Sequence, residues 1–355
     1  MTTIPGLKIC KLVRPRLEEW FLTAPVSARS DCHRLLRAAG ATIVAEEVLG
    51  VAPAPAEHHK WPVTWLCVNP KLTGVQIHAV LGPPVNRIEK NGRVVGSVFD
   101  DGGARHCRLG GLWPANTSAP PADQAQTTFA LLEAALHEAG MTFANVARTW
   151  FYLDNILTWY REFNQVRDRF FQERKVFAGL VPASTGIGSA NSAGAALVAG
   201  AHAVAGGTLQ AVPSPLQCPA LQYGSSFSRA VELIMADHRR LWVSGTASIA
   251  PAGQTVHVGD VAGQIELTMQ VVAAILESRG LGWADVSRAI AYVRAADTAQ
   301  QFQAYRAAQG LADWPVVTTE NVICRDDLLF EIEVDAGRVE NSRPSVSPVD
   351  TRRLF

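Results

Sequence analysis

The feature that most limits what this chain can fold into is a repeat at an offset of 140 residues. Val146-Ala147-Arg148-Thr149-Trp150-Phe151-Tyr152-Leu153 is echoed by Val286-Ser287-Arg288-Ala289-Ile290-Ala291-Tyr292-Val293, which keeps Val, Arg and Tyr in step. Both stretches read as strands, and both follow an amphipathic segment closed by a glycine, Gly140 or Gly280. In the first of those segments Phe129, Leu132, Leu136 and Ala139 recur at helical spacing; in the second Ile265, Met269, Val272 and Leu276 do. That spacing predicts helices with one buried face. A second stripe follows each strand, Trp159, Phe163, Val166 and Phe170 in one copy and Phe302 and Tyr305 in the other. The chain is therefore two tandem copies of one unit. Strands, helix, strand, helix, strand predicts an α+β fold, each copy a mixed sheet with two helices on one face.

The expected organisation is an N-terminal extension over 1–60, a first unit over 61–207, a second over 208–337 and a mobile tail over 338–355. Within the extension, Asp31 to Ala39 reads as a short helix ended by Gly40, and Val51 to Ala56 as a connector. His58-His59 reads as exposed loop rather than a metal site. Residues 63–68, 74–80 and 93–99 read as strands, with a turn at Lys90-Asn91-Gly92. Helices cover one face of each sheet. The other face needs a partner, and two copies in one chain can cover each other, leaving a cleft where they meet.

Composition excludes several classes. Lys+Arg and Asp+Glu balance at 32 each, so no global field draws the chain to nucleic acid or a membrane surface. Hydrophobic content is 48%, but no apolar run approaches the ~18 residues of a membrane-spanning helix. The first residues, Met1 to Lys8, lack the basic segment and apolar core of a secretion signal, so a cytoplasmic protein is expected. The six cysteines, Cys10, Cys32, Cys67, Cys107, Cys218 and Cys324, have neither C-x-x-C spacing nor histidines at ligand spacing. Metal and disulfides are not expected, and five of the six read as small core residues. Gly186 to Gly194 resembles a phosphate loop only superficially, because the segment after it is an Ala/Val strand and not a helix.

The copies differ at their closing strands. In the second, Phe330, Ile332 and Val334 share one face while Leu329, Glu331 and Glu333 share the other. In the first, Val198 falls at or near the slot of Glu331, and Asn191 near that of Cys324. A solvated sheet face predicts no such asymmetry; one working site beside one scaffold copy does. Glu331 is then a carboxylic acid in a dry cleft, with a raised pKa and a proton to donate. Arg148, in a strand otherwise apolar and aromatic, is either an edge cation or a fork for a carboxylate. The segment from Pro215 to Ala230 carries Tyr223, Phe227 and Arg229 and reads as a loop lining the site.

These stretches resemble known proteins. The Gly-ended helices, the Asn145-Val146-Ala147-Arg148 and Asp285-Val286-Ser287-Arg288 strand starts and the Phe330-Glu331-Ile332-Glu333 closing strand look like the RidA/YjgF unit. That resemblance implies a chorismate-mutase-like fold whose members form trimers with sites between subunits. The tandem arrangement more closely resembles the chorismatases, over roughly residues 60–337. The motifs carrying it are Arg148 to Leu153, Tyr223 to Ala230, Val243-Ser244-Gly245-Thr246-Ala247-Ser248 and Cys324 to Glu331. It implies removal of pyruvate from chorismate without metal or organic cofactor, with Glu331 as proton donor. Chorismate carries two carboxylates, for which Arg148 and Arg229 are the expected cations and Tyr223 a hydroxyl donor. The resemblance further ties the Cys324 slot, together with that of Gly245 to Ala247, to the product, with Ala247 closer to the hydrolase type. A cysteine goes with 3-hydroxybenzoate, sometimes with 4-hydroxybenzoate; an apolar residue goes with hydrolysis to 3,4-dihydroxycyclohexa-1,5-diene carboxylate.

Two alternatives stay open at this point. A RidA-type imine or enamine hydrolase would hold its substrate with an arginine shortly after the proline of the closing segment, but Pro315 is followed by Val316-Val317-Thr318. A non-catalytic small-molecule binder would turn nothing over. An internal duplication that supplies its own partner is compatible with a monomer.

Overall fold

In the computed structural model, which describes residues 4–51 and 59–340, the strands gather into three six-stranded sheets built to one plan. The first contains β1 (Lys8–Arg14), β2 (Leu17–Ala24), β3 (Thr42–Gly50), β4 (Val63–Cys67) and β5 (Gly74–Leu81), with helix α1 (Arg29–Ala38) between β2 and β3. The second contains β6 (Asn86–Lys90), β7 (Arg93–Asp100), β8 (Arg105–Leu112), β9 (Val146–Leu153), β10 (Ala183–Gly188) and β12 (Leu197–Ala205), with α2 (Pro121–Glu138) and α3 (Ile156–Glu173). The short β11 (Ala190–Asn191) leaves it to pair with β4 of the first sheet. The third contains β13 (Thr208–Val212), β14 (Ala230–Ile234), β15 (His238–Ala247), β16 (Val286–Val293), β17 (Val316–Glu320) and β18 (Phe330–Val339), with α4 (Val261–Ser278) and α5 (Ala296–Ala308).

The second sheet runs β10-β9-β12-β8-β7-β6 and the third β17-β16-β18-β15-β14-β13, the same order twice, as the repeat predicts. The first runs β11-β4-β3-β5-β2-β1, again the same order once the borrowed β11 is set aside. The pairs β10–β9, β17–β16 and β4–β3 are parallel and the remaining pairs antiparallel. A parallel pair needs a crossover, supplied by α3 and α5 in the two longer units.

Residues 8–81 are thus a third unit, which corrects the reading of residues 1–60 as an extension with a boundary at 61: β4 and β5 complete the N-terminal sheet. The repeat is invisible there because α1 has 10 residues against the 18 of α2 and α4, and β3 lacks the Arg and Tyr that mark β9 and β16. The tail also begins later than expected, since Arg338 and Val339 still belong to β18. The connector from residue 52, His58 and the tail from residue 341 lie outside the described residues. His59 is half-buried and stacks on Trp65 with ring centroids 6.5 Å apart.

Each sheet packs one face on its own helices. Phe129, Phe151, Phe163, Phe170 and Phe171 fill the layer between the second sheet and α2 and α3, each worth roughly 1.5–3 kcal/mol relative to exposure. Ile265, Met269, Val272, Phe302, Phe330, Ile332 and Val334 fill the corresponding layer of the third. Gly140 and Gly280, at φ +71° and +70°, end α2 and α4 in the left-handed turn that glycine adopts without penalty. The opposite faces turn inward and meet at three seams, β4 against β8, β10 against β15, and β17 against β2.

Candidate active site

Strand register locates the functional seam. Tyr152 pairs with Val198 on β12, and its repeat partner Tyr292 pairs with Glu331 on β18, so Glu331 and Val198 occupy one slot, as the sequence comparison expected. At the seam between the first and second units that slot holds the buried Val198, in the same apolar cluster as Leu66. Gly74 faces the seam between the third and first units, where a Cβ on it would lie 2.6 Å from Val317 Cγ1, so side chains already fill the space. The seam between β10 and β15 holds a cleft of about 270 Å³.

Glu331 lines this cleft yet is only 5% exposed. Among the described residues no hydrogen bond or ion pair holds its carboxyl. Burial first, and then the charge of Glu333 two residues along the strand, push its pKa from 4.5 to about 8, opposed only by Arg148. It is a protonated acid at neutral pH. Gly245 makes room for it, because a Cβ there would stand 2.1 Å from Glu331 Oε1; the Gly245 amide donates to Thr185 Oγ1 at 3.1 Å. Ala247 and Cys324 also line the cleft. Burial and the neighbouring Glu331 raise the Cys324 thiol to about 12, so it enters any chemistry as S–H.

The loop after β13 supplies Tyr223 and Arg229, as expected of a site-lining segment. Arg229 is 4% exposed; its Nε donates to Cys218 O at 3.0 Å, while the buried Nη2 has no partner among the described residues. Its guanidinium lies over the Tyr223 and Phe227 rings, 5.4 and 5.6 Å from their centroids. The second cation is one that sequence reasoning missed. Arg167 on α3 is 2% exposed and lines the cleft; its Nη2 donates to Asn164 Oδ1 at 2.9 Å and its Nε is unpartnered. Tyr160, Asn164 and Arg167 recur at four- and three-residue spacing, a polar stripe beside the apolar one that could have given the position away. Arg325, next to Cys324, also lines the cleft and donates to Gly253 O at 2.9 Å.

Arg148 was expected to clamp substrate. It is fully buried and is not among the residues lining the cleft; its Nη2 donates to Glu333 Oε2 at 2.9 Å, while its Nε and Nη1 have no partner among the described residues. Glu333 also accepts from Arg288 Nη2 and from Trp150 Nε1, each at 2.9 Å to Oε1. Those charges hold its carboxyl below the usual range despite full burial. Arg288 continues to Glu47 Oε2 at 3.2 Å, and Glu47 binds Arg108. All three units thus contribute to one charged lattice behind the acid. All six cysteines are free, and Cys10, Cys67 and Cys218 are half-buried rather than core residues. Among the described residues no cluster of His, Cys, Asp or Glu could hold a metal ion, and no helix is long and apolar enough to cross a membrane.

Comparison with known proteins gives consistent matches. The profile of the family described as "Chorismatase FkbO/Hyg5-like, N-terminal" matches residues 106–199. A chorismatase of Streptomyces hygroscopicus is 30% identical over 211 residues, 53% of this chain and 60% of that protein. One from Streptomyces rapamycinicus is 31% identical over 216 residues, 54% and 64% respectively. A 3-hydroxybenzoate synthase of Streptomyces hygroscopicus is 26% identical over 234 residues, 58% and 66%. The match thus spans a little under two thirds of the two chorismatases. A crystal structure of a chorismatase aligns over 83% of this chain and 93% of its own, with a TM-score of 0.68 at 22% identity, a likeness of fold.

Proposed function

We propose that this chain, which belongs to the chorismatase family, removes pyruvate from chorismate and forms 3-hydroxybenzoate. The observation that carries the reading is a carboxylic acid with a pKa near 8 in the same cleft as two buried guanidiniums. Arg167 and Arg229 suit the two carboxylates of the substrate, each with a buried N–H to offer. Tyr223 and Arg325 close the cleft from the loop side.

The step such a site performs is protonation of the enolpyruvyl methylene by Glu331, which generates an oxocarbenium ion beside the carboxylate just formed. The neighbouring ring hydroxyl then attacks the carbon bearing the enolpyruvyl oxygen; the ring–oxygen bond breaks, pyruvate leaves with its electron pair, and the hydroxyl proton returns to Glu331, leaving an epoxide across the two ring carbons. In this aromatising route no water is consumed: the epoxide opens at the carbon that first held the hydroxyl, its oxygen takes up a proton and the ring loses one from the other epoxide carbon, so the atoms of chorismate divide between 3-hydroxybenzoate and pyruvate. Cys324 stands in the cleft as a thiol, and the resemblance to chorismatases pairs a cysteine in this slot with this route; hydrolysis to the diene diol is the second reading. Purified protein given chorismate is expected to release pyruvate in a coupled assay, with 3-hydroxybenzoate found by chromatography. Absence of pyruvate refutes the reading, and diene diol as the main product replaces it with the hydrolytic one.

A further inference from the structure

The residues of the lattice behind the cleft do not line it, yet they are built around a charged neighbour of the acid. Glu331 and Glu333 lie on one face of β18, two residues apart. The arginines that the repeat places at equivalent positions, Arg148 on β9 and Arg288 on β16, both bind Glu333, at 2.9 Å each. At the matching position the second unit has Gly200, paired with Trp150 as Glu333 is with Ile290, so only this seam has a carboxylate there. The duplication has thus brought two copies of one arginine onto a single carboxylate beside the acid.

We propose that Glu333, kept ionised by Arg148 and Arg288, is the positioning group whose like charge holds Glu331 protonated until substrate arrives, with Arg148 the counterweight that lets the acid give up its proton. The proposal rests on the reading of Glu331 as the acid. The other charged or titratable groups around Glu331 are Tyr292 across the strand pair, Tyr160 and Arg167 on α3, and Cys324, Arg325, Tyr223 and Arg229 on the loops. Burial acts on Glu331 most strongly; of the charges, Glu333 favours the protonated form and Arg148 opposes it. Glu333 is bonded to Arg148 and Arg288 within full burial; Arg288 also pairs with Glu47 and Asp335, so protonating Glu333 would leave Arg148 without a counter-charge.

Two substitutions are expected to move the acid in opposite directions. Glu333→Gln removes the like charge and should lower the pKa of Glu331 by about one unit. Arg148→Met removes the nearest opposing cation, leaves Glu333 held by Arg288, and should raise it. The readout is the carboxylic-acid infrared band titrated in substrate-free protein, with Glu331→Gln assigning the band and melting curves confirming the fold. The alkaline limb of kcat/KM with chorismate should follow the same two shifts. Unmoved midpoints in folded variants, or both moving the same way, overturn the proposal. If Glu333→Gln does not fold, an Arg148→Met band that fails to rise overturns it alone. The infrared arm needs no turnover, so it still decides if chorismate proves not to be the substrate.

Discussion

Glu331→Gln tests both the chemistry and the physical state of the site. The amide is nearly isosteric with the protonated acid, so below pH 4.5 the variant should match the wild type in stability. Above that, the unfolded wild-type chain releases the Glu331 proton while the folded chain retains it to about pH 8. The folded state then binds more protons, and its stability falls as pH rises through this window. The gap between 4.5 and about 8, at 1.36 kcal/mol per pH unit, corresponds to about 5 kcal/mol. A side chain 5% exposed gives little solvent screening to reduce it. Urea unfolding of both proteins at pH 4.5, 6, 7 and 9 should show the variant gaining on the wild type, from near zero to about 5 kcal/mol, while turnover is lost. Strain stored at a functional site behaves this way. A stability difference independent of pH, or a variant less stable at pH 9, would refute the claim that the wild type keeps a buried proton there.

Other consequences follow from the same geometry. Replacing Arg167 or Arg229 by Met should raise KM about 10- to 100-fold each, the cost of one charge-assisted pair; steady-state kinetics showing Arg167→Met unaffected would remove it from the site. Gly245→Ala places a methyl against Glu331 Oε1, and kcat should drop at least about ten-fold, or about 1.4 kcal/mol, with folding retained by circular dichroism. Burial holds His202 well below its ordinary 6.5, and lowers His78 and His238 as well. Their contribution is complete above pH 6.5 and is lost as pH falls below it, because the unfolded chain takes up protons first. In Glu331→Gln, where the opposing trend of the buried acid is gone, melting temperature should therefore fall between pH 7 and pH 5, and adding His202→Gln should flatten that slope.

Periodicity and repetition were enough to read the two longer units, down to the bounds of β9 and β16, because a strand buried on both faces and a glycine-ended helix leave long local patterns. The exchange of Glu331 for Val198 was legible for the same reason: two copies of one strand can be counted against each other. The N-terminal unit was not legible, since its kinship lies in strand order, which hydrogen bonding fixes without requiring particular residues. Nor could the sequence tell Arg148 from Arg167. Both are arginines among aromatic residues, and only the packing of three sheets decides which guanidinium lines the cleft and which pairs with Glu333. The residue types in this chain determined that an acid would exist. Its dryness, its charged neighbour and its partner cations are distances between elements far apart in sequence, and those exist only once the seams close.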